Sequence, residues 1–491
     1  MSANLTKLME MLQRAKDGPP MTDREWDVKV IPETVRKLLK KHDLAGTFNK
    51  DQPVNQDLEL ADRFFEAGLE MAVETGMFCT DTDSIIKCTR EEILQANEEA
   101  PSELTMGEGI DQITIKARRP EDPYPPVFGA PLSIQVSEEL YVPIATGILQ
   151  SRQVRIQEGP SLDTVYGYPA YSGSPFESAL ALLENQLRRE AQQRAGRPGM
   201  PNSSISSSTT EFGQLAGLPH LSTASNRVLG PILHPAELKV HFASFHKAIA
   251  AIGAGAYLNC GSYGMIGGYS GPAEGAVLTN IATDLLQFPV LQAHTSATSI
   301  YDVRFDATVG RHGLWGLSMV NQALSRNTHM ITSKIINQLA GPCTEEILYT
   351  SAAGLICACV SGQTFTYGPR SAGGRFKDYL TPLEHWFCGS VFEAATRLTL
   401  SQANEIVLYL LSTYEDKLKE MVNMKGQSFT ECFDPKTLRP SKEWADIGDK
   451  VKKDIESHGL ALPYVANQQD WVKEKTKSSG YDGTVVRGTG M

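Results

Sequence analysis

The sequence lacks the short signatures by which many chemistries announce themselves, and each absence removes a class. No Cys-x-x-Cys pair occurs among the eight cysteines (Cys79, Cys88, Cys260, Cys343, Cys357, Cys359, Cys388 and Cys432), so neither a zinc ribbon nor a disulfide framework is indicated. The closest two, Cys357 and Cys359, stand in the apolar run 352–360, where small thiols pack. No Gly-x-Gly-x-x-Gly or Walker loop follows a strand-like run, which leaves a nucleotide-binding domain without support. A Gly-x-Ser-x-Gly elbow is absent too, against a serine hydrolase. His241 and His246 sit five apart on an expected helix, a spacing that does not place two ligands on one face, and no metal site is expected. Apolar runs fall short of the roughly 18 residues a membrane span needs, and no secretory leader is evident, so a cytoplasmic protein without membrane contact is expected. Positive charge is scarce: 46 Lys and Arg against 57 Asp and Glu leave a net charge of −11, with no basic face for nucleic acid.

What is present is ordinary in bulk and informative in order. With 491 residues and 41% hydrophobic content the chain can bury a large core. Residues 1–125 read as a helical region with short strands. Leu5, Leu8, Met9 and Leu12 repeat at helical spacing up to Gly18, Leu60, Phe64, Ala67 and Met71 mark a second helix over 58–74, and Ile113 and Ile115 alternate as in a hairpin. From Val127 to Thr413 strand-like runs alternate with longer helical ones. The strand candidates are 153–157, 204–210, 257–260, 290–294, 302–306 and 331–336. The helix candidates start at Ser174 and span 235–252, 273–286, 313–325, 344–359 and 382–396. This alternation predicts an α/β fold, a (β/α)8 TIM barrel over 126–440, with a helical N-terminal extension and a C-terminal helix and extended arm over 441–491. Two stacked doubly wound domains are the alternative.

Two loops carry the chemical interest. Arg197 to Glu211 is a Gly/Pro turn feeding a Ser-rich run, either a flexible loop or a strand that brings hydroxyls near a ligand without filling the space. Gly261 to Pro272 is Gly-rich and lies between a strand and a helix, the place of a βα loop at a barrel mouth. Glu274 follows in the first turn of the next helix, where it could polarise a substrate or serve the helix dipole. Arg304 could clamp an anion or pair with Asp306.

The segments Ala195-Gly196-Arg197-Pro198-Gly199-Met200, Gly267-Gly268-Tyr269-Ser270-Gly271, Ala340-Gly341-Pro342-Cys343-Thr344-Glu345 and Cys79-Thr80-Asp81-Thr82-Asp83, with Arg14-Ala15-Lys16, Trp26-Asp27 and Phe429-Thr430-Glu431-Cys432, resemble the monomethylamine methyltransferases of methylotrophic methanogens in order and spacing over residues 5 to 462. The resemblance implies a barrel that moves a methyl group from an amine to the Co(I) of cobalamin carried by a partner corrinoid protein. It also implies a homo-oligomer that holds no tightly bound cofactor of its own. In that family the third residue after Arg-Pro-Gly-Met is pyrrolysine, whose imine ring captures the amine; here it is Ser203. The family's glutamate before Gly-Gly-Tyr becomes Gly261, and a Gln and a Tyr upstream of Ala-Gly-Pro-Cys become Ile335 and Asn337. Capture through an imine is therefore expected to be lost. A quaternary nitrogen already carries a neutral leaving group and needs only positioning, dryness and a face for the cation. The expected catalytic residues are Ser203 and Glu274, and the expected substrate contacts are Asn202, Asn259, Gly261, Tyr269, Arg304 and Asn337, with Tyr257, Tyr263 and Trp315 as further cation–π candidates. The donor is expected to be a small methylated molecule of quaternary-amine or betaine type. The competing expectation is a non-catalytic barrel that binds a metabolite or the corrinoid protein, with a cavity filled by Ile335, Met265 and their neighbours.

Overall fold

The computed structural model describes residues 4–203, 210–221, 228–420 and 424–462. Its centre is a closed parallel barrel. Seven short strands form one sheet: β1 (Val127–Ala130), β2 (Val154–Gln157), β3 (Asn202–Ser203), β4 (Val228–Leu233), β5 (Tyr257–Gly261), β6 (Thr295–Ser296) and β7 (Phe365–Tyr367). They run in the order β6-β5-β4-β3-β2-β1-β7. Thr332 makes a parallel bridge to Ser296 of β6 and Ser333 one to Phe365 of β7. That segment takes the eighth place, so the (β/α)8 ring has no open edge.

Helices surround the ring. Ala273–Leu291 is buried along its entire length. A helix buried on every face must be covered on both sides. Its inner side meets the barrel and its outer side meets Leu58–Thr75, where a Cβ on Gly68 would come within 2.4 Å of Ile281. Glycine is what permits that approach of two helices. The N-terminal region thus shares a core with the barrel, joining Leu8, Phe64 and Phe78 to Ile281 and Leu285. It also shares a sheet, since Met77–Cys79 pairs in parallel with Lys239–Val240.

Several expected elements change. Residues 290–294 end a helix rather than form a strand, because a continuous apolar run does not by itself distinguish a buried helix from a buried strand. The strand expected at 302–306 is Ser299–Asp302, after which the Phe305 amide donates to the Asp302 carbonyl and turns the chain. The segment 331–336 contributes only two bridges. The helix expected from 235 starts at Phe242, with His241 as its N-cap accepting from the Ser244 amide. The strands β1, β4 and β7 were not in the sequence pattern; in β4, Gly230 and Pro231 read as breakers, yet Pro231 pairs across from Asn259. The candidate strand 204–210 lies, apart from Thr210, outside the described residues, as does the arm after Leu462.

Candidate active site

A cavity of about 230 Å³ opens at the carboxyl end of the barrel, and every position around the ring contributes to it. Ser133 follows β1, Glu158 follows β2, Ser203 ends β3, Leu233 ends β4, Asn259 lies in β5, Ala297 follows β6, Ser333 is a bridge residue and Tyr367 ends β7. This is the face on which barrel enzymes assemble their chemistry. Ile335, Asn337 and Arg370 complete the rim from the loops beyond, and Gln214 and Lys247 enter from helices Glu211–Leu221 and Phe242–Gly253.

Ser203 is buried and its hydroxyl has no hydrogen-bond partner among the described residues, while its carbonyl accepts from Arg188 at 2.6 Å. Strand alternation separates it from Asn202, whose Oδ1 accepts from Gln192 on helix Pro175–Arg194, outside the cavity. Asn259 faces in and accepts from the Thr295 hydroxyl at 2.8 Å. Asn337 accepts from Arg370 at 3.2 Å. At Gly261 a Cβ would meet the Ala297 backbone at 2.7 Å, so the wall itself excludes a side chain there.

Three other expected residues stand away from the cavity. The Glu274 carboxylate accepts from the Phe48 amide at 3.2 Å and tethers the N-terminal segment. Tyr269 is half exposed at the tip of a loop closed by a Gly267 amide donating to the Gly271 carbonyl and anchored by Ser270 donating to Glu237. Arg304 pairs with Asp302 at 2.6 Å, not with Asp306, which pairs with Arg375 instead. Of the further aromatic candidates, only Tyr263 lines the cavity. Trp315 sits in the core against Phe48 and Phe64, and Tyr257 begins β5 at the opposite end, against His294.

The charged residues of the cavity escaped the sequence reading. Glu158 accepts from Ser133 through one oxygen, and the other has no partner among the described residues. Burial pushes its carboxyl up to about 8, against the opposing pull of Arg188 and the Ser133 bond. Among the described residues it is the one carboxylate lining the cavity. Lys247 is 7% exposed, and its ammonium makes no hydrogen bond or ion pair with the described residues. Burial pulls its pKa down, while Glu211 and Glu177 oppose the fall from outside ion-pair range. The signals were there: Glu158 directly follows a strand, and Lys247 is the one Lys or Arg in the apolar helix Phe242–Gly253. Burial also raises the Tyr263 and Tyr367 hydroxyls, so both stay neutral.

The crystal structure of the Methanosarcina barkeri monomethylamine methyltransferase (MtmB) superposes with a TM-score of 0.87 at 26% identity, covering 92% of this chain and 98% of that one. The hydroxylamine MtmB complex matches to the same extent. The fold and the family match together define a methyltransferase of the corrinoid-dependent barrel class. The model of the family described as "Monomethylamine methyltransferase MtmB" matches residues 6–460. Monomethylamine methyltransferase MtmB of Methanosarcina mazei is 30% identical over 469 residues, covering 92% of this chain and 98% of the relative. MtmB1 of Methanosarcina acetivorans is 29% identical with the same coverage. This chain belongs to the monomethylamine methyltransferase MtmB family.

Proposed function

We propose that this family member transfers a methyl group from a small quaternary-ammonium donor to the corrinoid of a separate partner protein, and does so without pyrrolysine. The observation that carries the reading is Ser203: a small, unbonded hydroxyl at the strand end where the resemblance expects the amine-capturing residue. Among the described residues, none lining the cavity offers an imine to form an adduct with an amine. Without one, monomethylamine would have to expel an amide-like nitrogen or be protonated first. A quaternary donor avoids both, because the electron pair of the breaking C–N bond returns to nitrogen and a neutral amine leaves. The corrinoid, when its protein docks, supplies the nucleophile that accepts the methyl group. The chain's own residues bind and orient the donor: Tyr263 and Tyr367 offer ring faces to the cation, Glu158 offers a carboxyl that a neighbouring cation favours in its ionised form, and Ile335 keeps one side dry. The open cavity supports catalysis over the alternative of a filled, purely binding barrel. The reading includes a cytoplasmic homo-oligomer, and among the described residues no helix is long and apolar enough to cross a membrane.

The test is methyl transfer from a panel of donors to cob(I)alamin, followed by the absorbance of methylcobalamin. Transfer from quaternary donors with none from monomethylamine is expected. Monomethylamine as the sole active donor would overturn the proposal.

A further inference from the structure

Among the described residues, two cations line the cavity without a carboxylate partner. Lys247 enters from one side, its side chain buried and without a hydrogen bond to the described residues, and Arg370 enters from the loop after β7, its guanidinium donating to the neutral Asn337. The acids nearest Lys247 are otherwise engaged or distant: Glu177 accepts from Gly173 and Thr210, and neither it nor Glu211 forms an ion pair with the lysine. Glu158, on the same cavity, is not paired with either cation. A buried ammonium without a counter-ion is costly, and proteins keep one where a ligand supplies the missing charge.

We infer that Lys247 and Arg370 form an anion-binding subsite, and that the donor is a small zwitterion with a carboxylate and a quaternary nitrogen on one molecule. This rests on the methyl-transfer reading above and sharpens it. The carboxylate is held by Lys247 and the forked guanidinium of Arg370. The methylated nitrogen is met by Tyr263, Tyr367 and Glu158, which line the same cavity. The cavity's about 230 Å³ falls below the roughly 300 Å³ at which pockets for drug-sized ligands begin, which limits the donor to a compact molecule.

The experiment compares a small trimethylammonium carboxylate with its alcohol analogue, in which a hydroxymethyl group replaces the carboxylate. Binding is measured by calorimetry on the full chain without corrinoid, and transfer is measured separately. The carboxylate should bind about 10- to 100-fold more tightly than the alcohol, as expected for charge-assisted hydrogen bonds. Lys247→Met and Arg370→Gln should each remove most of that preference while leaving alcohol binding unchanged, and Lys247→Arg should restore part of it. Circular dichroism melting confirms that each variant is folded. Equal binding of the two ligands by the unaltered chain, or a preference that survives both charge-removing substitutions, overturns the subsite. Preferred binding of the carboxylate without transfer would instead sink the methyl-transfer reading and leave the subsite standing, whereas transfer from quaternary donors with no carboxylate preference does the reverse.

Discussion

Among the described residues three lysines are buried, Lys239, Lys247 and Lys334, and the last two are treated in opposite ways. Lys334, on the segment that closes the ring, is 1% exposed and meets Asp284 of the surrounding helix at 2.5 Å, with Gln287 and Ser296 bonded to the same carboxylate. Lys247, 7% exposed, meets no acid at all among the described residues. Burial lowers the pKa of both. Lys334 brings its counter-ion with it, as Lys239 does with Asp23 and Asp27, and Lys247 does not. A lysine that belongs to the architecture is neutralised in the folded chain, and one that belongs to a binding site leaves that task to the ligand.

The contrast breaks most sharply in stability. Asp284→Ala strands the Lys334 ammonium between helix and barrel, and should cost about 3–5 kcal/mol in urea unfolding. Lys247→Met removes a charge that has no partner to strand, and should leave stability unchanged or slightly higher. If the two substitutions cost the same, the distinction between an architectural and a site lysine is lost.

Glu158 extends the comparison to an acid. Its carboxyl titrates at about 8 in the fold against 4.5 ordinarily, with burial as the main cause and Arg188, Ser133, Tyr263 and Tyr367 as the groups around it. Between those values the folded chain holds a proton that the unfolded chain has released. The stabilisation is therefore complete below about 4.5 and lost as pH rises through about 8, with a slope of up to about 1.4 kcal/mol per pH unit from this one group. Glu158→Gln should flatten the pH dependence of the urea midpoint across that window. An unchanged slope in the variant would place the titration elsewhere.

How much of this was legible in the sequence follows from what side chains do locally. The barrel was readable because strand and helix periods alternate over nearly 300 residues, and helix starts such as Thr344 and Thr89 announce themselves by capping. Boundaries failed where burial is complete: in Ala273–Leu291 no polar face marks where helix stops. Of the expected site residues, Ser203, Asn259 and Asn337 line the cavity, and Ser203 and Asn337 had been marked by the family resemblance rather than by any local pattern. Glu158, Lys247 and Arg370 were missed because their meaning lies in the partners they lack, and sequence shows neighbours along the chain, not across it. Arg304 shows the converse error, since an Arg near an Asp looked like a site and is a turn.

That turn supplies the smallest effect and the narrowest check on where the site ends. Arg304 is 45% exposed and pairs with Asp302 within its own loop, donating from both Nε and a terminal nitrogen. Water screens such a pair, so Arg304→Ala should cost at most about 1 kcal/mol in unfolding. It should also leave the carboxylate preference of the cavity intact, because the anion-binding charges are Lys247 and Arg370 on the barrel mouth. A loss of that preference in Arg304→Ala, with stability barely moved, would mean that the loop after Ser299–Asp302 folds over the bound donor and that the site has a third cation.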